Sequence, residues 1–168
     1  MKILINFYKN ILQTTKTVLL VIEYMLYTIF INLLDIFTVL LKKPFLLKYK
    51  ILNFIFETLY DLHNIITLNL YNETDTLTYG STPVSTSIKI FNSIVTPNTK
   101  TFLDLGSGRG NITFVASQGY NLKCTGYELV DKHLDYAKFI NKYLIRKNIV
   151  FEKKDFMKTA LPESDIIF

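Results

Sequence analysis

The chain has 168 residues, one domain's worth on length alone. It is 49% hydrophobic and 14% aromatic, without tryptophan, which excludes an intrinsically disordered chain. The net charge of +5 is spread rather than blocked; it speaks weakly for an anionic membrane surface or an acidic partner, and nucleic acid is not expected to bind.

The first 43 residues hold no proline and no glycine. Residues 18–41 are almost wholly apolar, broken by Glu23, Thr28, Asn32, Asp35 and Thr38. The run is long enough to span a bilayer, and too long, without a cleavage-type end, for a simple signal peptide. Two acids in a lone span are costly. Three readings stay open: a transmembrane anchor, an amphipathic helix in the interface, and a helix packed against the rest of the chain. Lysines flank both ends, with an excess after the run, which assigns the C-terminal side to the cytoplasm-like face.

Pro44 interrupts the pattern, and residues 46–68 are predicted to form a second helix. Lys50, Asn53, Glu57, Asp61 and Asn64 share one face; Ile51, Leu52, Ile55, Leu59, Leu62 and Ile66 share the other. The apolar face is expected to lie on the first helix or on a membrane surface. Composition then gives three parts: a hydrophobic helical region over 1–70, a polar linker over 71–82, and an α/β domain over 83–168. Thr82 and Pro83 read as N-cap and first position of a helix ending near Ile94.

Residues 101–110 organise the α/β domain. A strand-like run ends in Asp104, and Gly106, Gly108 and Gly110 come next at every second position. Residues 111–118 read as a helix stopped by Gly119. A strand, a glycine turn and a helix together form a site for a nucleotide-like ligand at the carboxyl end of a parallel sheet. A dinucleotide fingerprint would need a third glycine at position 111, which is Asn111. A second strand ends in Glu128, placed to accept from ribose hydroxyls. A helix over 130–147 comes next, then a third strand at 149–152 leading to Asp155 and Phe156, and residues 164–168 begin a fourth. Cys124 cannot form an internal disulfide and reads as a small buried residue; His63 and His133 lack ligand-spaced partners, so no metal site is expected.

Phe102-Leu-Asp-Leu-Gly-Ser-Gly-Arg-Gly110, Gly126-Tyr-Glu-Leu129 and Lys154-Asp-Phe-Met-Lys158, preceded by Tyr79-Gly-Ser-Thr-Pro83, resemble the class I S-adenosyl-L-methionine (SAM) methyltransferases. With its apolar N-terminal helix, the chain is most similar to the small membrane-anchored protein-lysine methyltransferases of the adenine nucleotide translocase and ATP synthase c-subunit type. The resemblance covers residues 79–168 and implies a Rossmann-like methyltransferase sheet, C-terminally incomplete, behind a membrane-associated helical region. It implies SAM as cofactor, a protein lysine as acceptor, and a location at a membrane with the domain on the cytoplasmic, matrix or stromal side. Asp104 would sit near the methionine amino group, with Gly106 and Gly108 under the methionine; Glu128 would hold the ribose; Asp155 and Phe156 would frame the adenine. Ser107, Gly110, Leu129 and, in the preceding turn, Tyr79 complete the expected contacts. No catalytic residue is named by these motifs. Two other functions stay open: methylation of a small apolar molecule or lipid, and a non-catalytic SAM-binding remnant.

Overall fold

The computed structural model describes residues 2–66, 80–144 and 148–168, and the side chains among them apart from residues 2–14, 17, 21, 24 and 60–66. The chain divides into two compact units, Met1–Leu34 and Asp35–Phe168. Helix α1 (Lys2–Lys42) supplies the whole of the first unit and the start of the second.

In the first unit Leu19, Leu20, Leu26, Tyr27 and Phe30 are exposed. The Asn32 side-chain amide donates to the Thr28 carbonyl one turn back at 2.9 Å, so this polar group is satisfied within its own helix. The stretch Val18–Lys42 is the one helix among the described residues long and apolar enough to cross a membrane, with a mean hydropathy of 1.8. Core helices of soluble proteins share that length and composition.

The second unit is an α/β domain. After the tail of α1 come a short 3-10 turn (Pro44–Leu46), α2 (Leu47–Ile66) and α3 (Val84–Ile94). Then β1 (Thr101–Leu105), α4 (Asn111–Tyr120), β2 (Lys123–Glu128), α5 (Asp131–Leu144), β3 (Ile149–Lys153) and β4 (Ile166–Ile167) alternate. All four strands are parallel, in the order β3-β2-β1-β4. Register pairs Phe102 with Cys124 and Ile166, and Cys124 with Ile149, so the carboxyl ends of β1 and β2 lie side by side. Residues 111–118 of α4 are all buried, as befits a helix with few charged groups on any face. Phe114 meets Phe151 of the sheet on one side (ring centroids 5.5 Å apart) and Tyr49 of α2 on the other (5.0 Å). Cys124 is buried, and burial, with a smaller push from Asp104, raises its thiol to about 12.

Three local expectations are corrected. First, α4 runs through Gly119 and ends at Asn121, which takes the left-handed conformation (φ 57°) that asparagine tolerates. Second, Thr82 does not cap α3; Pro83 holds that position, and the open amides of Val84 and Ser85 donate to the Asp35 carboxylate of α1 at 2.9 and 3.2 Å. Third, α2 sits the other way round. Lys50 and Asn53 are buried, whereas Ile51, Ile55 and Leu59 are exposed at 41%, 45% and 56%. The polar face goes inward because partners wait there: Asp35 for Lys50 at 3.2 Å, the Tyr136 hydroxyl for the Asn53 side chain at 3.4 Å, and Arg109 for Glu57 at 3.8 Å. Leu52 and Phe56 pack partly against the core. Helix α2 thus belongs to the unit that carries the sheet, and the units divide at Leu34 and Asp35. Of the linker expected over 71–82, residues 71–79 lie outside the described residues.

Candidate functional site

The site forms where β1 and β2 end. Gly106 and Gly108, at φ 82° and 53°, turn the chain through the left-handed region, which a side chain would resist. The amides of Gly106 and Ser107 both donate to the Tyr127 carbonyl at 2.9 Å, tying the glycine turn to the end of β2. Glu128, the last residue of β2, closes the loop: one carboxylate oxygen accepts from the Gly108 amide at 2.7 Å, the other from Leu129 and Val130 at 2.7 and 2.8 Å. A carboxylate offers about four lone-pair sites, so one on the Gly108-bound oxygen is left for a ligand hydroxyl.

Asp104 is 2% exposed. Burial raises its carboxyl to about 7; the Thr113 hydroxyl, donating at 2.5 Å, pulls it down, and the charge of Glu128 adds a further upward push. A buried acid so poised gains from a cationic partner. The Ser107 hydroxyl is buried and has no hydrogen-bond partner among the described residues. Around these groups lies a pocket of about 370 Å³.

Of the residues expected from the sequence, Asp104, Gly106, Ser107 and Gly108 line the pocket from the β1 side, and Glu128, Leu129 and Phe156 from the other. Gly110 does not line it. A Cβ there would come 2.7 Å from the Phe151 ring, so this glycine serves the packing of α4 on β3. Asp155 is not in the lining either: its carboxylate accepts from the Met157 amide at 3.0 Å and pairs with Lys158 at 3.2 Å. Tyr79 lies outside the described residues, while its neighbours Gly80, Ser81 and Thr82 are in the wall.

Sequence reasoning missed Asn111, Tyr127, His133, Lys154 and Phe168, all of which line the pocket. Two of them carried a signal. Asn111 opens the helix after the glycine turn, and His133 lies in the first turn of the helix after the β2 acid; both positions face the carboxyl end of the sheet. Lys154 is held by Glu152 at 2.5 Å, above the Tyr127 ring at 4.7 Å. The groups suit a ligand with an ammonium for Asp104, a hydroxyl for Glu128 and a flat apolar part against Phe156. SAM has these groups, and the residues fit it.

A parallel sheet in this order, with a glycine turn after β1 and an acid closing β2, defines a Rossmann-like α/β fold of the methyltransferase kind. The family described as "Histone methylation protein DOT1" matches residues 62–167, more than half of the chain, and the chain belongs to that family. Among curated proteins none matches. Several solved structures are similar. An RNA methyltransferase from Salinibacter ruber, in complex with S-adenosyl-L-homocysteine, is 20% identical over 52% of this chain and 58% of its own, with a TM-score of 0.48. A protein-L-isoaspartate O-methyltransferase is 22% identical over 56% of this chain and 31% of its own (TM-score 0.47). Coclaurine N-methyltransferase, bound to N-methylheliamine and S-adenosyl-L-homocysteine, is 20% identical over 54% and 29% (TM-score 0.44). The chain spans less than two thirds of the length of each.

Proposed function

We propose that this chain is a SAM-dependent methyltransferase acting on a protein lysine at a membrane. The observation that carries the reading is the pairing of Asp104 and Glu128 at adjacent strand ends around one glycine-walled pocket. When bound, SAM supplies a methyl group activated on a sulfonium. The chain's part is to hold and orient. Ionised Asp104 accepts the ligand's ammonium, Glu128 accepts a ribose hydroxyl with its remaining lone pair, and the backbone at Gly106 and Gly108 approaches the methionine closely. Ser107 stands in the wall, and Leu129 and Phe156 give apolar walls to ribose and adenine. Fixing the methyl carbon in line with a nucleophile is worth much of the barrier in such a displacement.

A protein acceptor is supported by the family's description as a histone methylation protein, and lysine by the resemblance in sequence. The membrane is supported by the outward side of the N-terminal helices. Phe37 and Leu41 are 61% and 67% exposed, Leu40, Phe45 and Leu59 are at least half exposed, and Lys42 and Lys48 are exposed too.

The test is methyl transfer from labelled SAM to isolated membranes. Label recovered as methyl-lysine in the protein fraction is the expected result. Label in the lipid extract moves the acceptor to a small apolar molecule, and no label despite ligand binding leaves a non-catalytic binder. After lysis without detergent the chain is expected in the membrane pellet; recovery in the supernatant overturns the membrane part.

A further inference from the structure

We infer that α2 holds the glycine turn in its ligand-accepting shape from behind, with Tyr49 and Glu57 as positioning residues. The inference rests on the reading of the pocket as the SAM site.

Neither Tyr49 nor Glu57 lines the pocket. Each touches a residue of the turn or of the helix start beside it. Tyr49 is fully buried, and its hydroxyl donates to the Asn111 side-chain carbonyl at 2.5 Å. The Asn111 amide group in turn donates to the Ser81 hydroxyl, and both Asn111 and Ser81 are in the pocket wall. One hydroxyl on α2 thus orients a side chain that spans two parts of the wall.

The second contact is through charge. Arg109 stands between Gly108 and Gly110, and a glycine-rich turn has no packing need for a long cation there. Yet Arg109 is only 5% exposed, with its guanidinium 3.8 Å from the Glu57 carboxylate and 5.4 Å from the centre of the Tyr136 ring. A buried ion pair of this kind adds little net stability, because desolvation offsets the attraction. At 3.8 Å it is a charge contact and not a hydrogen bond, and what it does is hold the Arg109 side chain toward α2. The neighbouring Gly108 amide bonds Glu128, so the setting of Arg109 is passed to the carboxylate that faces the ligand. The glycines supply the freedom of the turn, and α2 removes it again. Of the buried polar face of α2, Glu57 is the part that meets the turn.

The experiment measures the affinity of the full chain for S-adenosyl-L-homocysteine by calorimetry, with the thermal midpoint of the ligand-free protein alongside. Tyr49→Phe is expected to weaken binding about three- to tenfold, the worth of one lost hydrogen bond, with the midpoint nearly kept. Glu57→Ala is expected to weaken it similarly, and Glu57→Gln, which keeps an acceptor, to lie between Glu57→Ala and wild type. Ile55→Ser, on the outer face of α2, is expected to bind as wild type. Adding Tyr49→Phe to Asn111→Ala should change nothing further, since Tyr49 acts through Asn111. If Tyr49→Phe lowers the ligand-free midpoint by more than a few degrees, the Glu57 pair decides. Wild-type affinity in Tyr49→Phe and Glu57→Ala overturns the inference alone; failure of the wild-type chain to bind removes the cofactor reading with it.

Discussion

Two buried carboxylates in this chain do the same local job to opposite ends. Asp35, on the tail of α1, accepts from two backbone amides at the start of α3; Glu128, at the end of β2, accepts from three. Asp35 is then closed off by Lys50, with both side chains 5% exposed. Glu128 instead faces the pocket, beside an unpartnered hydroxyl and a second acid. Amide bonds hold both groups in place. What separates a structural acid from a binding one is whether the last lone pair meets a cation of the protein or the space reserved for a ligand.

The comparison breaks most visibly at Asp35. Asp35→Ala leaves Lys50 buried without its carboxylate and α3 without its cap, and is expected to cost about 3–5 kcal/mol in chemical unfolding. The double change Asp35→Leu with Lys50→Met is expected to recover the part of that loss due to Lys50, with the α3 amides still uncapped. Retained stability in the single variant would show that Lys50 does not depend on Asp35.

At Glu128 the loss should appear in binding. Glu128→Ala is expected to weaken S-adenosyl-L-homocysteine binding by about 1–3 kcal/mol, read by calorimetry on protein checked for folding. Unchanged affinity would remove Glu128 from the site.

The sharpest effect is the pH dependence set by Asp104. Its carboxyl is raised from 3.8 to about 7, so folding favours its protonated form. The stability this contributes is complete below about pH 4 and is lost as pH rises through about 7. Binding of an ammonium needs the ionised form and therefore runs the other way. Affinity should climb by up to about tenfold per pH unit toward pH 7 and then level off. In Asp104→Asn both slopes should flatten; a persistent slope would assign the titration to another group.

The parts of the fold that local chemistry controls were legible. Short runs ending in an acid gave the ends of β1, β2 and β3 to within a residue, and the glycine turn gave the place of the pocket. What was not legible depends on partners far away in the chain. Periodicity revealed two faces on α2 but not that the polar one is buried, because Lys50, Asn53 and Glu57 find Asp35, Tyr136 and Arg109 only once folded. The cap of α3 came from a residue 49 positions upstream rather than from adjacent Thr82. Within the site the same split appears. Asp104, Gly106, Gly108 and Glu128 announce themselves by spacing, while Lys154 and Phe168 reach the wall through topology alone.

The link from Asp35 to Val84 and Ser85 also has a consequence in time. A ribosome adding about 5–20 residues per second delivers those amides roughly 2–10 s after the acid. Lys50 emerges much sooner and is the first partner on hand. Until α3 is made, the last turns of α1 carry a carboxylate that is only half satisfied and still favours water. That charge draws the turns after Leu34 toward Lys50 and the amides of α3, and leaves them for the sheet domain to collect as it forms.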